Sequence, residues 1–307
     1  MRVLERTVFI GANVYAHYPV IRLRIDLGAL EEWPSRRLGE EFIAPLLATL
    51  PGLATHGCSY SAPGGFVRRL REDDGTWMGH ILEHVTLELQ HLAGAPVAYG
   101  KTRSTGRPGE YYLVYAYEDP EVGIRAGELA ERFLRSIIPM ELHGGPPDPR
   151  FDFRVELADL LALSARNRAA LWTIEHVRLR EPVIVLVAGE ENVSEVAQLV
   201  SARLAERCGS VGVADTLGAA GERALLREGH DAVVLATTRS LLLDSGLGIT
   251  RCDVAAVLGP LHGDRDPLRL PLEIAGSAVH LVDESAQTAS EKIFALIEAG
   301  TAASFRR

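Results

Sequence analysis

Cysteine is scarce in this sequence: Cys58, Cys208 and Cys252 are all that a 307-residue chain contains. They are odd in number and far apart, which excludes a disulfide framework and implies a reducing compartment. A basic excess is also missing. With 32 Lys and Arg against 41 Asp and Glu, the formal net charge is -9. Nothing is left over to neutralise phosphates, so a nucleic-acid binder is not expected. No apolar run approaches membrane-spanning length, and the start, Met-Arg-Val-Leu-Glu-Arg, has no apolar segment of the signal-peptide kind. These absences lead to the expectation of a cytoplasmic protein with no nucleic-acid or membrane partner.

What is present is an ordinary globular composition, 47% hydrophobic and 24% charged. The length exceeds that of a usual single domain, so two are expected. Residues 1–143 read as an α+β domain, with strands at Val3–Ile10, Val20–Ile25, Val97–Tyr99 and Tyr111–Tyr117. Helices are expected at Leu38–Leu50 and Glu121–Ile138, the latter started by Asp119-Pro120. Gly144-Gly145-Pro146-Pro147-Asp148-Pro149 is a linker that no regular element tolerates, and 144–180 reads as linker plus connecting helix. From Val183 the pattern alternates strand and helix. Val183–Val187 is a continuous apolar run of the kind found in buried parallel strands. Residues 181–307 therefore read as a doubly wound, Rossmann-like α/β domain.

In such a sheet a phosphate would sit on the loop after the first strand, at a helix N-terminus. That loop here is Ala188-Gly189-Glu190-Glu191-Asn192-Val193-Ser194-Glu195. It has one glycine, no lysine and three carboxylates, so ATP is not an expected cofactor.

The chemistry-bearing stretch is Trp77 to Leu92. As a helix it places Ile81, Leu82, Val85, Leu89 and Leu92 on one side, and His80, Glu83, His84, Glu88 and His91 on the other. His80 and His84 are four apart, so their rings can converge on one metal ion, with Glu83 in reach of a metal-bound water. His-x-x-Glu-His is the inverted zinc-protease signature, with Glu83 as catalytic base. A solvated helix face is the plainer alternative. Glu88 lies eight residues beyond His80, about 12 Å along the axis, too far to share a metal with it. Its expected role is to orient His84. Acidic residues precede the helix (Glu72, Asp73, Asp74), and basic ones follow it in a loop from Lys101 to Pro108 (Lys101, Arg103, Arg107). Either run alone reads as an ordinary solvated loop; flanking a candidate metal helix together, and with the resemblance given below, they suggest an extended, doubly charged substrate.

Several stretches resemble the N-terminal domain of cyanophycin synthetases. They run from Arg22-Leu23-Arg24-Ile25-Asp26-Leu27 through Cys58, Gly64-Gly65-Phe66 and Met78 to Gln90. The likeness continues in Tyr99-Gly100-Lys101-Thr102-Arg103, Glu121-Val122-Gly123 and Ser136-Ile137-Ile138. Residues 181–285 resemble the central, Mur-ligase-like domain of that family, best between Arg239 and Asp253. The family's ATP-grasp domain has no counterpart here, its phosphate loop is replaced by Gly189 to Glu195, and an acidic position near a later strand end is Ala236.

The resemblance implies a zinc-dependent domain that cuts an arginine-bearing poly-aspartate chain internally. His80 and His84 would be metal ligands, and Glu121, which matches a family position, the third. A carboxylate stabilising its own helix N-terminus is the other reading of Glu121. The expectation is thus a zinc-dependent peptide hydrolase rather than an ATP-dependent ligase, and a homo-oligomer. The second reading is a catalytically silent accessory subunit that binds the polymer, or an active cyanophycin synthetase or Mur-type ligase.

Overall fold

The computed structural model describes residues 1–58, 65–72, 74–143, 148–174 and 181–301. Gly64, Asp73 and the glycine-proline linker at 144–147 lie outside them. The chain divides into two compact units, and the division is discontinuous. The first comprises Met1–Val8 and Val20–His176, the second Phe9–Pro19 and Val177–Arg307.

The first unit is built on a four-stranded sheet in the order β1-β2-β4-β3, from β1 (Arg2–Phe9), β2 (Val20–Asp26), β3 (Gly100–Ser104) and β4 (Glu110–Ala116). β2 and β4 run antiparallel, with Leu23 opposite Leu113 and Arg24 opposite Tyr112. Alternation sorts the residues of β2: Ile21, Leu23 and Ile25 are buried in the core, while Arg22 and Arg24 reach Glu5 on the other face. The helices Met78–Leu92 and Pro120–Ile137 bury their apolar sides in the same core. The second of these starts where Asp119 accepts from the Val122 N–H, with Pro120 in its first turn. The connecting helix, Phe153–Ile174, belongs to this unit, where Leu157, Leu160 and Leu163 join the core.

Two local expectations fail. The helix expected at Leu38–Leu50 is broken into Ser35–Leu38 and Glu40–Thr49, because Gly39 takes a φ of 72° between them. No strand forms at Val97–Tyr99. The strand is β3 instead, inside the segment expected to be a basic loop, paired antiparallel with β4 so that Thr102 faces Leu113. Pairing with the apolar β4 satisfies the backbone of this polar segment, an effect that local composition does not carry.

The second unit holds a five-stranded parallel sheet in the order β6-β7-β5-β8-β9. The strands are β5 (Val183–Gly189), β6 (Val211–Asp215), β7 (Ala232–Thr238), β8 (Cys252–Leu258) and β9 (Ala275–Leu281). The unbroken apolar character of β5 has a direct cause. Val185 and Val187 enter the core on one face of the sheet, Leu186 and Ala188 the core on the other. The segment Phe9–Pro19 adds to this unit through backbone bonds from Ala12 N–H to Ile249 O and from Leu247 N–H to Ala12 O. A Cβ on Gly11 would lie 2.4 Å from the Leu247 carbonyl, so only glycine permits this approach. Among the described residues, no helix is long and apolar enough to cross a membrane.

Candidate metal centre and binding groove

The polar stripe of the Met78–Leu92 helix faces inward except at His91, which is exposed. Glu83, His84 and Glu88 are only 6%, 5% and 3% exposed, while Leu92, expected on the apolar side, is 45% exposed. The helix is buried almost all round, so its charged and imidazole groups must find partners within the protein.

His80, His84 and Glu88 do so in one connected network. His80 Nε2 lies 3.1 Å from His84 Nε2 and 3.3 Å from the Cys58 sulfur. The Nδ1 atoms turn outward, His80 to Thr76 Oγ1 at 2.7 Å and His84 to His56 Nδ1 at 3.0 Å. His56 Nε2 in turn meets Glu88 Oε2 at 2.9 Å. A consistent set of protons has His80 donating to Thr76, His84 to His56, and His56 to Glu88. The Nε2 lone pairs of the two helix histidines then face each other, with the Cys58 sulfur beside that of His80.

Burial holds both imidazoles well below their ordinary pKa. His80 falls to about 4, helped by the Arg69 charge, and His84 to about 3, helped by His80 and His56. Both rings are neutral near pH 7, the state that binds metal.

Cys58, His80 and His84 offer donor atoms all within 4.8 Å of one another. Ligands about 2.0 and 2.3 Å from one tetrahedral ion sit roughly 3.3–3.6 Å apart, close to the 3.1 Å between the two imidazole nitrogens and the 3.3 Å from His80 to the sulfur. The structure therefore brings together His80 and His84, and adds Cys58 as the third donor. Glu121 is elsewhere. It sits in the first turn of the Pro120–Ile137 helix and accepts from Asn167 at 3.2 Å, which corrects its assignment as a ligand. Glu88 supports His84 through His56 rather than directly. Sequence reasoning missed Cys58 and His56 because both lie far upstream of the helix, in a segment with no periodicity. The histidine spacing alone gave no signal for them.

Glu83 points away from this cluster. Thr102 Oγ1 donates to its Oε2 at 2.8 Å, and a Cβ on Gly100 would lie 2.5 Å from its Cγ, so β3 packs directly on this carboxyl. Burial raises its pKa to about 7, partly offset by the Thr102 bond.

Cys58, His80 and Glu83 line one side of a groove of about 1000 Å³. Its other walls carry Arg36, Arg37, Arg68, Arg69, Lys101 and Arg103, with Glu72 and Asp74 as the other carboxylates. A chain with a net charge of -9 thus gathers six cationic side chains around one cavity. Lys101 and Arg103 reach it because the whole of β3, Gly100–Ser104, borders the groove. Arg107, the third expected substrate contact, is not among the lining residues and lies 3.9 Å from Glu110. It sits beyond the end of β3.

The family model described as the cyanophycin synthase-like N-terminal domain matches residues 22–139. The cyanophycin synthetase of Geminocystis herdmanii is 34% identical over 257 residues, which is 82% of this chain and 27% of that protein. Those of Trichormus variabilis and Synechocystis sp. are 44% and 42% identical over 140 residues, 45% of this chain and 15% and 16% of theirs. The chain spans about a quarter or less of the length of these relatives. All three are named synthetases, that is, ligases. This overturns the peptide-hydrolase expectation, and with it the exclusion of a ligase. The physical reason is that His-x-x-Glu-His spacing fixes which donors can converge at one point, and says nothing of the bond made or broken there.

Proposed function

Because the chain belongs to a cyanophycin synthetase-like family, we propose that its first unit is a binding module for a cyanophycin-like polymer, serving a ligase as an accessory subunit rather than carrying out the chemistry. One observation carries this reading. Among the described residues, Arg36, Arg37, Lys101 and Arg103 face the groove with no ion-pair partner, Arg37 lying 4.1 Å from the centre of the Trp33 ring, while Arg68 and Arg69 are paired with Glu72 and Glu83 is buried. Glu72 is held by Arg68 at 3.1 Å and by Arg69 at 3.5 Å. Unpaired cations lining a cavity supply fixed counter-charge for the carboxylates of an extended chain. Asp74, on the rim, supplies the opposite sign for cationic side chains of the same polymer.

Zinc at Cys58, His80 and His84 would tie Cys58 to the Met78–Leu92 helix and so fix part of one wall of the groove. With three protein ligands it would also supply Lewis acidity for one carboxylate of the bound chain. Thr76 and His56 hold the two imidazoles in the orientation this needs.

The test is binding of the polymer to the purified chain at low and high salt. Lys101→Glu with Arg103→Glu should weaken binding at least about tenfold, and added salt should weaken the wild-type complex. Arg107→Glu, outside the groove, should leave it close to wild type. Polymer that fails to associate with the wild-type chain, or equal loss from Arg107→Glu, would sink this reading.

A further inference from the structure

The Phe153–Ile174 helix has two apolar sides, and the described residues cover only one. Leu157, Leu160, Leu163 and Ser164 turn toward the core, and Ser164 Oγ donates to the Ala93 carbonyl at 2.7 Å. On the opposite side Val155 is 58% and Leu161 39% exposed. Ala158, Ala162 and Ala165 are exposed beside them. Val155, Ala158, Ala162 and Ala165 are separated by three, four and three residues. That spacing makes a narrow seam down a helix, of the kind that packs against a second helix.

Two charges flank the seam on the same edge. Asp159 and Arg166 are seven residues apart, two turns along the helix. Among the described residues neither side chain has an ion-pair or hydrogen-bond partner. We propose that this face docks on the same face of a second copy of the chain, with the two helices antiparallel. A two-fold axis between Ala162 and Ala165 sets Ala162 of each copy against Ala165 of the other. Alanine at the crossing lets the helix axes approach to about 8 Å. In that register Asp159 of each copy lies beside Arg166 of the other, so the symmetry forms the same ion pair twice and both unpaired charges are satisfied. The antiparallel sense also sets the helix dipoles head to tail. A parallel pairing would leave Asp159 beside the apolar Leu161.

Sedimentation velocity of the full chain over a concentration series tests this. The wild type should show a monomer–dimer equilibrium. Asp159→Arg and Arg166→Asp, each placing like charges together twice, should weaken association at least about tenfold. An equimolar mixture of these two variants should associate again, because every cross-pair is then of opposite sign. The double variant Asp159→Arg/Arg166→Asp should do the same alone. Circular dichroism of each variant, expected to match the wild type at this exposed face, separates loss of contact from loss of fold. A wild type that stays monomeric throughout, or single variants that associate as well as it does, would overturn the proposal. So would a mixture that fails to recover.

Discussion

Cys58 shows how much a single residue changes the reading of this site. The two helix histidines alone could serve a hydrogen-bonded network. With Thr76 and His56 taking their Nδ1 atoms, their Nε2 atoms and the thiol are left facing one another. A cation is the partner that satisfies three such donors at once. Purified chain should therefore take up about one zinc, measured by elemental analysis after removal of loosely held metal. His84→Ala and Cys58→Ala should each lower occupancy sharply. Glu121→Ala should leave it unchanged, since that carboxylate is occupied with Asn167. Zinc retained in full by His84→Ala would place the metal somewhere other than this cluster.

Among the elements, the short helix Gly218–Leu225 contains a further buried acid, in the other unit. Glu222 is 1% exposed. Its Oε2 accepts from the Gly248 N–H at 2.6 Å, and its Oε1 has no hydrogen-bond partner. Burial raises its pKa to about 7, against the smaller lowering by the Gly248 bond. The folded protein therefore holds this proton where the unfolded chain has lost it. The resulting stabilisation is complete below the ordinary carboxyl value of 4.5 and is lost as pH rises through about 7. Denaturant unfolding at pH 5 and pH 8 should show the wild type losing up to about 3 kcal/mol from this group. Glu222→Gln, which cannot ionise, should remove that part of the pH dependence. An unchanged slope in the variant would mean that the acid is solvated and titrates normally.

On the scale of the molecule, the two units carry opposite local charge. The first gathers cations around its groove. In the second, the loop after β5, where doubly wound sheets bind phosphates, exposes Glu190 and Glu191. Arg239, the cation nearest that loop, is already committed to Glu190 at 2.7 Å and to the buried Asp266 at 3.1 Å. ATP with magnesium should give no saturable heat in calorimetry, because among the described residues lining the cavity beside this loop no unpaired lysine or arginine awaits its phosphates. Saturable heat that disappears when Glu190 to Glu195 are altered would show that this loop does cradle a nucleotide.

Periodicity, and the resemblance it accompanied, carried a good part of this in the sequence alone. The alternation of β2, the apolar run of β5 and the Asp119-Pro120 helix start are written in adjacent residues, because local backbone geometry repeats every two or 3.6 residues. The convergence of His80 and His84 was legible for the same reason. Cys58, His56, the inward turn of Glu83, the strand at Gly100–Ser104 and the exclusion of Glu121 and Arg107 were decided by tertiary structure. Each depends on which distant segment a residue packs against. Burial then set what those groups can do, by stripping water from the two helix histidines, Glu83 and Glu222 and moving each toward its neutral form.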